Sequence, residues 1–148
     1  MKKRILIFAL SLTWISYSFA NKVDDSINKR AVASFNSEFR NASDVKWERH
    51  NGFVVATFSI NNQVAFAYYN SDGELLAIAR NILSDKLPIM KLLSLKKDYS
   101  HYWISDLIEV SKGEGVSYYI TVENAEEKIT LKSAEAGNWE AYSKEEKK

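Results

Sequence analysis

Histidine, cysteine and paired carboxylates carry most side-chain chemistry near neutral pH, and this chain offers them sparsely. It has two His and no Cys. Without a thiol there is no cysteine nucleophile, no thiolate metal site and no disulfide, and no G-x-S-x-G elbow presents a serine. His50 adjoins Asn51-Gly52 and reads as the solvated end of a strand. His101 lies among Tyr99, Tyr102 and Trp103, where a partly buried aromatic neighbour is the simpler reading than a base. No H-x-x-x-H, C-x-x-C or EF-hand spacing occurs. Asp72 with Asn70 and Glu74 could touch calcium, but an Asp-Gly hairpin accounts for the same residues. Lys112-Gly113-Glu114-Gly115 lacks the G-K-S/T ending of a phosphate loop. Glu109, Glu126 and Glu127 are not set as a catalytic pair by any pattern. The residues thus predict no catalytic group, no cofactor and no metal.

What the chain does offer is aromatic and apolar surface, with 13% Phe, Trp and Tyr. In the first strand-rich segment Val54, Ala56, Phe58 and Ile60 alternate on one face. Phe53 and Val55 lie on the other, shared with two of the three residues Ala65, Ala67 and Tyr69 or with their neighbours. Both faces of this segment are therefore apolar, and one of them needs a cover that its own helix does not supply. Trp47, Tyr68, Tyr69, Tyr118 and Tyr119 are the candidates for contacting a partner, because aromatic residues and contiguous apolar patches mark interfaces. The expected role is a non-catalytic protein-binding or inhibitor-like module. A small-ligand or metal-binding envelope sensor is the alternative, with Asp72, His101 and the tyrosines as donors in a closed pocket.

The elements that would position these residues follow from turn chemistry and periodicity. Residues 45–80 read as four strands separated by Asn51-Gly52, Asn61-Asn62 and Asn70-Ser71-Asp72-Gly73. Asn-Gly is the favoured two-residue hairpin loop, expected as a type I′ turn with both residues at positive φ. Ahead of it, Ile27, Ala31, Val32, Phe35 and Phe39 form the stripe of an amphipathic helix capped by Asp24, Asp25 or Ser26. Pro88 suits the first turn of a second helix with Ile89, Leu92, Leu93 and Leu95 on its apolar face and Lys91 among its polar residues. Four more strands are expected at 103–111, 116–123, 128–133 and 139–142, followed by a charged, frayed tail at 143–148. Shifting one half by 63 residues superimposes Val45 on Ile108, Gly52 on Gly115 and Asn61 on Asn124. A shift of 60 superimposes Phe35 on Leu95. The fold class expected is α+β: a tandem repeat of one helix followed by an antiparallel β-meander, with the helices on one face of the sheet. The repeats cover about 24–82 and 85–142 within one domain of 21–148.

Residues 1–20 read as a signal peptide. Lys2-Lys3-Arg4 is its basic start, Ile5 to Leu12 its apolar core, and Ser18-Phe19-Ala20 places small residues for cleavage after Ala20. This predicts an exported, periplasmic protein with no membrane span after cleavage. The remainder carries 17 basic against 19 acidic residues, which excludes a basic nucleic-acid-binding surface. Another envelope protein is the expected partner, with the chain a monomer or a weak dimer through its edge strands.

Phe35 and Phe39, then Asn41-Ala42, then Val45-Lys46-Trp47-Glu48, Phe58 and the run AYYNSDGELL at 67–76 together form a pattern. It resembles the PepSY-like or beta-lactamase-inhibitor-like exported proteins of Gram-negative bacteria. Arg40 stands where that family usually has proline. The resemblance covers 27–80 well and 87–142 more weakly. It implies paired αβ units, a concave sheet face opposite the helices and no enzymatic activity.

Overall fold

The computed structural model of the chain describes residues 27–134 and 137–147; the expected signal peptide lies outside them, and the first helix is capped not by Asp24, Asp25 or Ser26 but by Asn28, whose Oδ1 accepts from the Arg30 N–H at 2.9 Å. Helix α1 spans Lys29–Glu38. It is followed by β1 (Ser43–His50), β2 (Phe53–Ile60), β3 (Gln63–Asn70) and β4 (Leu75–Asn81). A 3-10 turn at Ser84–Lys86 leads into α2 (Ile89–Asp98), then β5 (Trp103–Lys112), β6 (Gly115–Glu123), β7 (Glu127–Ala134) and β8 (Glu140–Glu146). All eight strands belong to one antiparallel sheet in chain order, β1 through β8.

This corrects the expected fold class. A tandem helix-plus-meander repeat does not describe a molecule that is mostly one eight-stranded sheet with two ten-residue helices. The deciding contact is β4 with β5, where Ile78, Ala79, Arg80 and Asn81 pair with Ser111, Val110, Glu109 and Ile108. An edge strand leaves a row of unpaired backbone N–H and C=O groups, and joining the two edges satisfies both rows at once. Matching turns along the sequence locates hairpins, but it carries no information on which outer strands meet. Arg80 reinforces the seam: its Nε donates to Glu109 Oε1 at 2.8 Å, and its Nη2 lies 2.7 Å from the same oxygen. Because Arg80 is half exposed, Arg80→Ala is expected to cost no more than about 1 kcal/mol in urea unfolding. Fluorescence and far-UV circular dichroism should still report one coincident transition.

The pairing register shows which face each residue takes. Ala65, Arg80, Glu109, Tyr118 and Ser133 are successive cross-strand partners from β3 to β7, so they lie along one line on one face. Both helices sit on that face. Ala31 and Phe35 of α1 pack on Val54, Ala56, Phe58, Ala65, Ala67 and Tyr69. Leu87 and Leu95 pack on Leu107, Tyr118, Ile120, Val122, Ile129 and Leu131.

The buried side of α2 differs from the expected one. Lys91 and Leu95 face the sheet, whereas Ile89, Met90 and Leu93 are 65%, 73% and 53% exposed. Lys91 is tolerated inside because its stem packs against apolar groups and its ammonium is met by oxygen. Nζ donates to Ser133 Oγ at 2.6 Å and to the Gly137 carbonyl at 2.8 Å, and it lies over the Tyr118 and Trp139 rings.

The turns follow from side chains that tolerate or organise unusual backbone. Asn61 and Asn62 both take positive φ, whereas at Asn51-Gly52 only the glycine does, so the expected type I′ turn belongs to the former and not the latter. Asn70 Oδ1 accepts from the backbone N–H groups of Asp72 and Glu74, both at 2.9 Å, which explains the third turn without a metal. Strand β8 runs to Glu146, past the Tyr142 end expected from the residues. Lysines in and just after it find acids on the inner strands: Lys144 pairs with Glu127, and Lys147 lies 2.8 Å from Glu123. Both edge strands, β1 and β8, are rich in exposed charge, a pattern that discourages edge-to-edge pairing.

Candidate functional site

The structure divides the five aromatic candidates. Tyr69 is fully buried and Tyr118 is 6% exposed, so neither can meet a partner, and both leave the list of surface residues. Trp47 is half-buried on the helix side, 5.5 Å from the Phe35 ring and 5.9 Å from Tyr69. Tyr68 and Tyr119 are half-buried on the opposite face, which neither helix covers. The physical reason is the two-residue alternation of a strand: of two adjacent tyrosines one must point inward. Ala65, Ala67 and Tyr69 oppose Phe58, Ala56 and Val54, so all three share the helix side, not the side of Phe53 and Val55. A signal for this existed, because a two-residue loop at Asn61-Asn62 sets Val54 opposite Tyr69.

The helix-free face holds a continuous aromatic and aliphatic row. His50 stacks on Phe53 at 4.9 Å between centroids, and Phe53 lies 6.1 Å from Tyr68. Phe66, Ala79 and Val110 are cross-strand neighbours in the middle of the row. Ile108 pairs with Tyr119, whose ring lies 5.5 Å from Tyr142 and beneath the Lys132 ammonium, also at 5.5 Å. Val55, Ala79 and Ile108 on this face are 7%, 1% and 6% exposed, shielded by the larger residues beside them. Burial raises the Tyr68 phenol above its ordinary pKa although no helix lies over it. Phe66 is a member that sequence reasoning missed, and its signal was the register that puts it beside Tyr68's strand neighbours.

Tyr69 is a cost to the fold rather than a functional group. Its hydroxyl is buried and has no hydrogen-bond partner among the described residues. Burial, and secondarily the charge of Glu38, push its pKa well above the ordinary range for tyrosine. The unfolded chain ionises near pH 10 and the folded chain higher, so above about pH 10 the unfolded state binds fewer protons and stability falls as pH rises. Tyr69→Phe is expected to be neutral or stabilising by about 1 kcal/mol at pH 7 and to flatten the loss above pH 10. Urea unfolding at pH 7 and pH 10.5 checks both, and a loss above 2 kcal/mol at pH 7 would show an unrecognised hydroxyl contact.

The residues considered for ligands are scattered over the fold. Asp72 is exposed in the β3–β4 turn and His101 is exposed between α2 and β5. Among the described residues no group of three or more His, Asp and Glu side chains is placed to hold a metal ion. Tyr102 donates to Glu127, which also pairs with Lys144. These bonds hold the Glu127 carboxyl below its usual pKa, Lys144 before Tyr102, and raise the Tyr102 phenol. The trio ties the α2–β5 connection to β7 and β8.

No helix of the described residues is long and apolar enough to cross a membrane. No family model and no curated protein sequence matches the chain. Solved structures do. A DUF2874 family protein from Bacteroides ovatus superimposes with a TM-score of 0.72 at 16% identity, covering 83% of this chain and 89% of that one. A BLIP-like protein from Bacteroides fragilis gives 0.67 at 17% identity, covering 79% and 84%. A protein of Bacteroides eggerthii described as one of the "putative periplasmic proteins" gives 0.71 at 14%, covering 80% and 87%. PepSY, the other half of the resemblance in the sequence, has no counterpart among these three. The chain has the β-rich fold of the BLIP-like and DUF2874 structures.

Proposed function

We propose that this protein is a non-catalytic module of the cell envelope that binds another protein through the helix-free face of its sheet. The observation that carries this reading is the row of Phe53, Phe66, Tyr68 and Tyr119 on a face that neither helix covers. Large aromatics at low side-chain entropy cost are the residues that anchor interfaces, and Phe and Tyr are enriched there relative to other surfaces. Export is supported by the basic start, apolar core and Ala20 cleavage pattern of the first twenty residues. The periplasmic description of one structure of the same fold also supports it. The inhibitor-like role rests on likeness of fold to a BLIP-like protein, an analogy that names no target.

The test is photo-crosslinking from position 66, replaced by benzoylphenylalanine, in cells that produce the protein at native level. One recurrent crosslinked protein should be obtained. A Tyr68→Ser, Tyr119→Ser variant with an unchanged melting temperature should lose it, while Met90→Ser on the exposed side of α2 keeps it. Loss with Met90→Ser but not with the tyrosine pair would move the interface to α2 and end the sheet-face reading.

A further inference from the structure

Beside the first turn of α1 lies an open cleft of about 730 Å³ that meets the aromatic face only at its end, where His50 and Phe53 line both. Lys29 and Arg30 line it from the helix, Arg49 and His50 from the end of β1, and Asn70 and Ser71 from the β3–β4 turn. Among the described residues no Asp or Glu lines it. The three segments are fastened to one another: Asn28 caps α1 and also donates to the Ser71 carbonyl, while Gly73 packs under the Arg30 backbone. Because Asn28 already occupies the capping role, the helix end is not what makes the cleft notable; the side-chain charge is. Among the described residues His50 has Glu48 at 3.8 Å, but Lys29, Arg30 and Arg49 form no ion pair. Three cations line one cleft with no described carboxylate among them, in a chain whose remainder after residue 20 is net acidic, so an anion there is attracted by all three.

We infer that this cleft binds a small polyanion bearing phosphate or carboxylate groups. Two guanidinium groups can each take such a group bidentately, Lys29 adds charge, and the imidazole of His50 and hydroxyl of Ser71 supply polar partners. A free phosphorylated solute and an anionic phospholipid headgroup present the same chemistry.

The test titrates the exported chain at low salt with inorganic pyrophosphate and with citrate, followed by calorimetry and backbone amide NMR. Flotation with phosphatidylglycerol and phosphatidylcholine vesicles runs beside it. The expected result is saturable binding with amide shifts confined to residues 28–31, 49–53 and 70–73. Arg30→Gln with Arg49→Gln should weaken it at least tenfold, about the worth of one bidentate contact, and Lys96→Gln with Lys97→Gln should leave it unchanged. Flotation with phosphatidylglycerol alone, lost in the arginine variant, would assign the site to a headgroup and support it equally. Absence of saturable binding to every probe overturns the inference, as does binding that the arginine pair leaves intact or that falls equally with the lysine pair. Should the double variant have a lowered melting temperature, Arg49→Gln alone serves the same comparison.

Discussion

Gly73→Ala is expected to destabilise the protein by about 2–5 kcal/mol, far more than the same change at Gly52. Both glycines have positive φ, +82° and +88°, so alanine at either position pays about 1–2 kcal/mol for left-handed backbone. They differ in their surroundings. A Cβ at Gly52 would meet nothing within 4 Å, whereas at Gly73 it would lie 2.6 Å from Arg30 Cβ, 2.7 Å from the Arg30 carbonyl carbon and 2.8 Å from the Ala31 nitrogen. Two of those atoms are helix backbone and cannot rotate away, so α1 must move off the β3–β4 turn or the turn must open. Forced overpacking of this kind adds about 1–3 kcal/mol. Urea unfolding of both variants is the measurement. Equal losses at the two sites would show that α1 can shift freely and that its anchorage at Gly73 is unimportant.

Phe35→Ala should cost about 3–5 kcal/mol, a large part of the roughly 5–15 kcal/mol by which domains are stable. Phe35 is 2% exposed and joins α1 to the sheet through three rings: Phe39 at 5.1 Å, Trp47 at 5.5 Å and Phe58 at 5.0 Å, the last two edge-on. Removing it leaves a cavity between helix and sheet and withdraws one wall from the Trp47 indole, so the fluorescence maximum should shift to the red in the native state. Leu93→Ala on α2 is the informative control. Its side chain is 53% exposed, and the expected change is within about 0.5 kcal/mol. A loss at Leu93 comparable to that at Phe35 would mean that the exposed side of α2 is covered in solution.

The contrast between Phe35 and Leu93 shows where local pattern fails. Both occupy an apolar stripe by helical spacing, yet α2 turns Lys91 inward and leaves Ile89 and Leu93 outside. Periodicity treats a lysine as polar; the fold treats it as a long apolar stem whose tip can reach Ser133 and the Gly137 carbonyl. That outcome depends on oxygens more than forty residues away, which no local window contains. The adjacent tyrosines pose the same difficulty on a smaller scale. Alternation demands that Tyr68 and Tyr69 part, but only the register across Asn61-Asn62, which sets Tyr69 opposite Val54, decides which one the helix covers.

By itself the sequence determined what depends on neighbours along the chain. The hairpins fall at Asn51-Gly52, Asn61-Asn62 and Asn70 to Gly73 because those residues tolerate positive φ or bond their own backbone. The amphipathic run from Ile27 to Phe39 made a helix inevitable before β1, and the lack of cysteine excluded thiol chemistry outright. Tertiary structure alone decided the joining of β4 to β5 into one sheet, the buried side of α2, the burial of Tyr69 and Tyr118, and the meeting of Lys29, Arg30, Arg49 and His50 around one cleft. Each of those rests on backbone edges or side chains brought together from distant segments, where the free energy lies in pairing and burial and not in the propensity of any one residue.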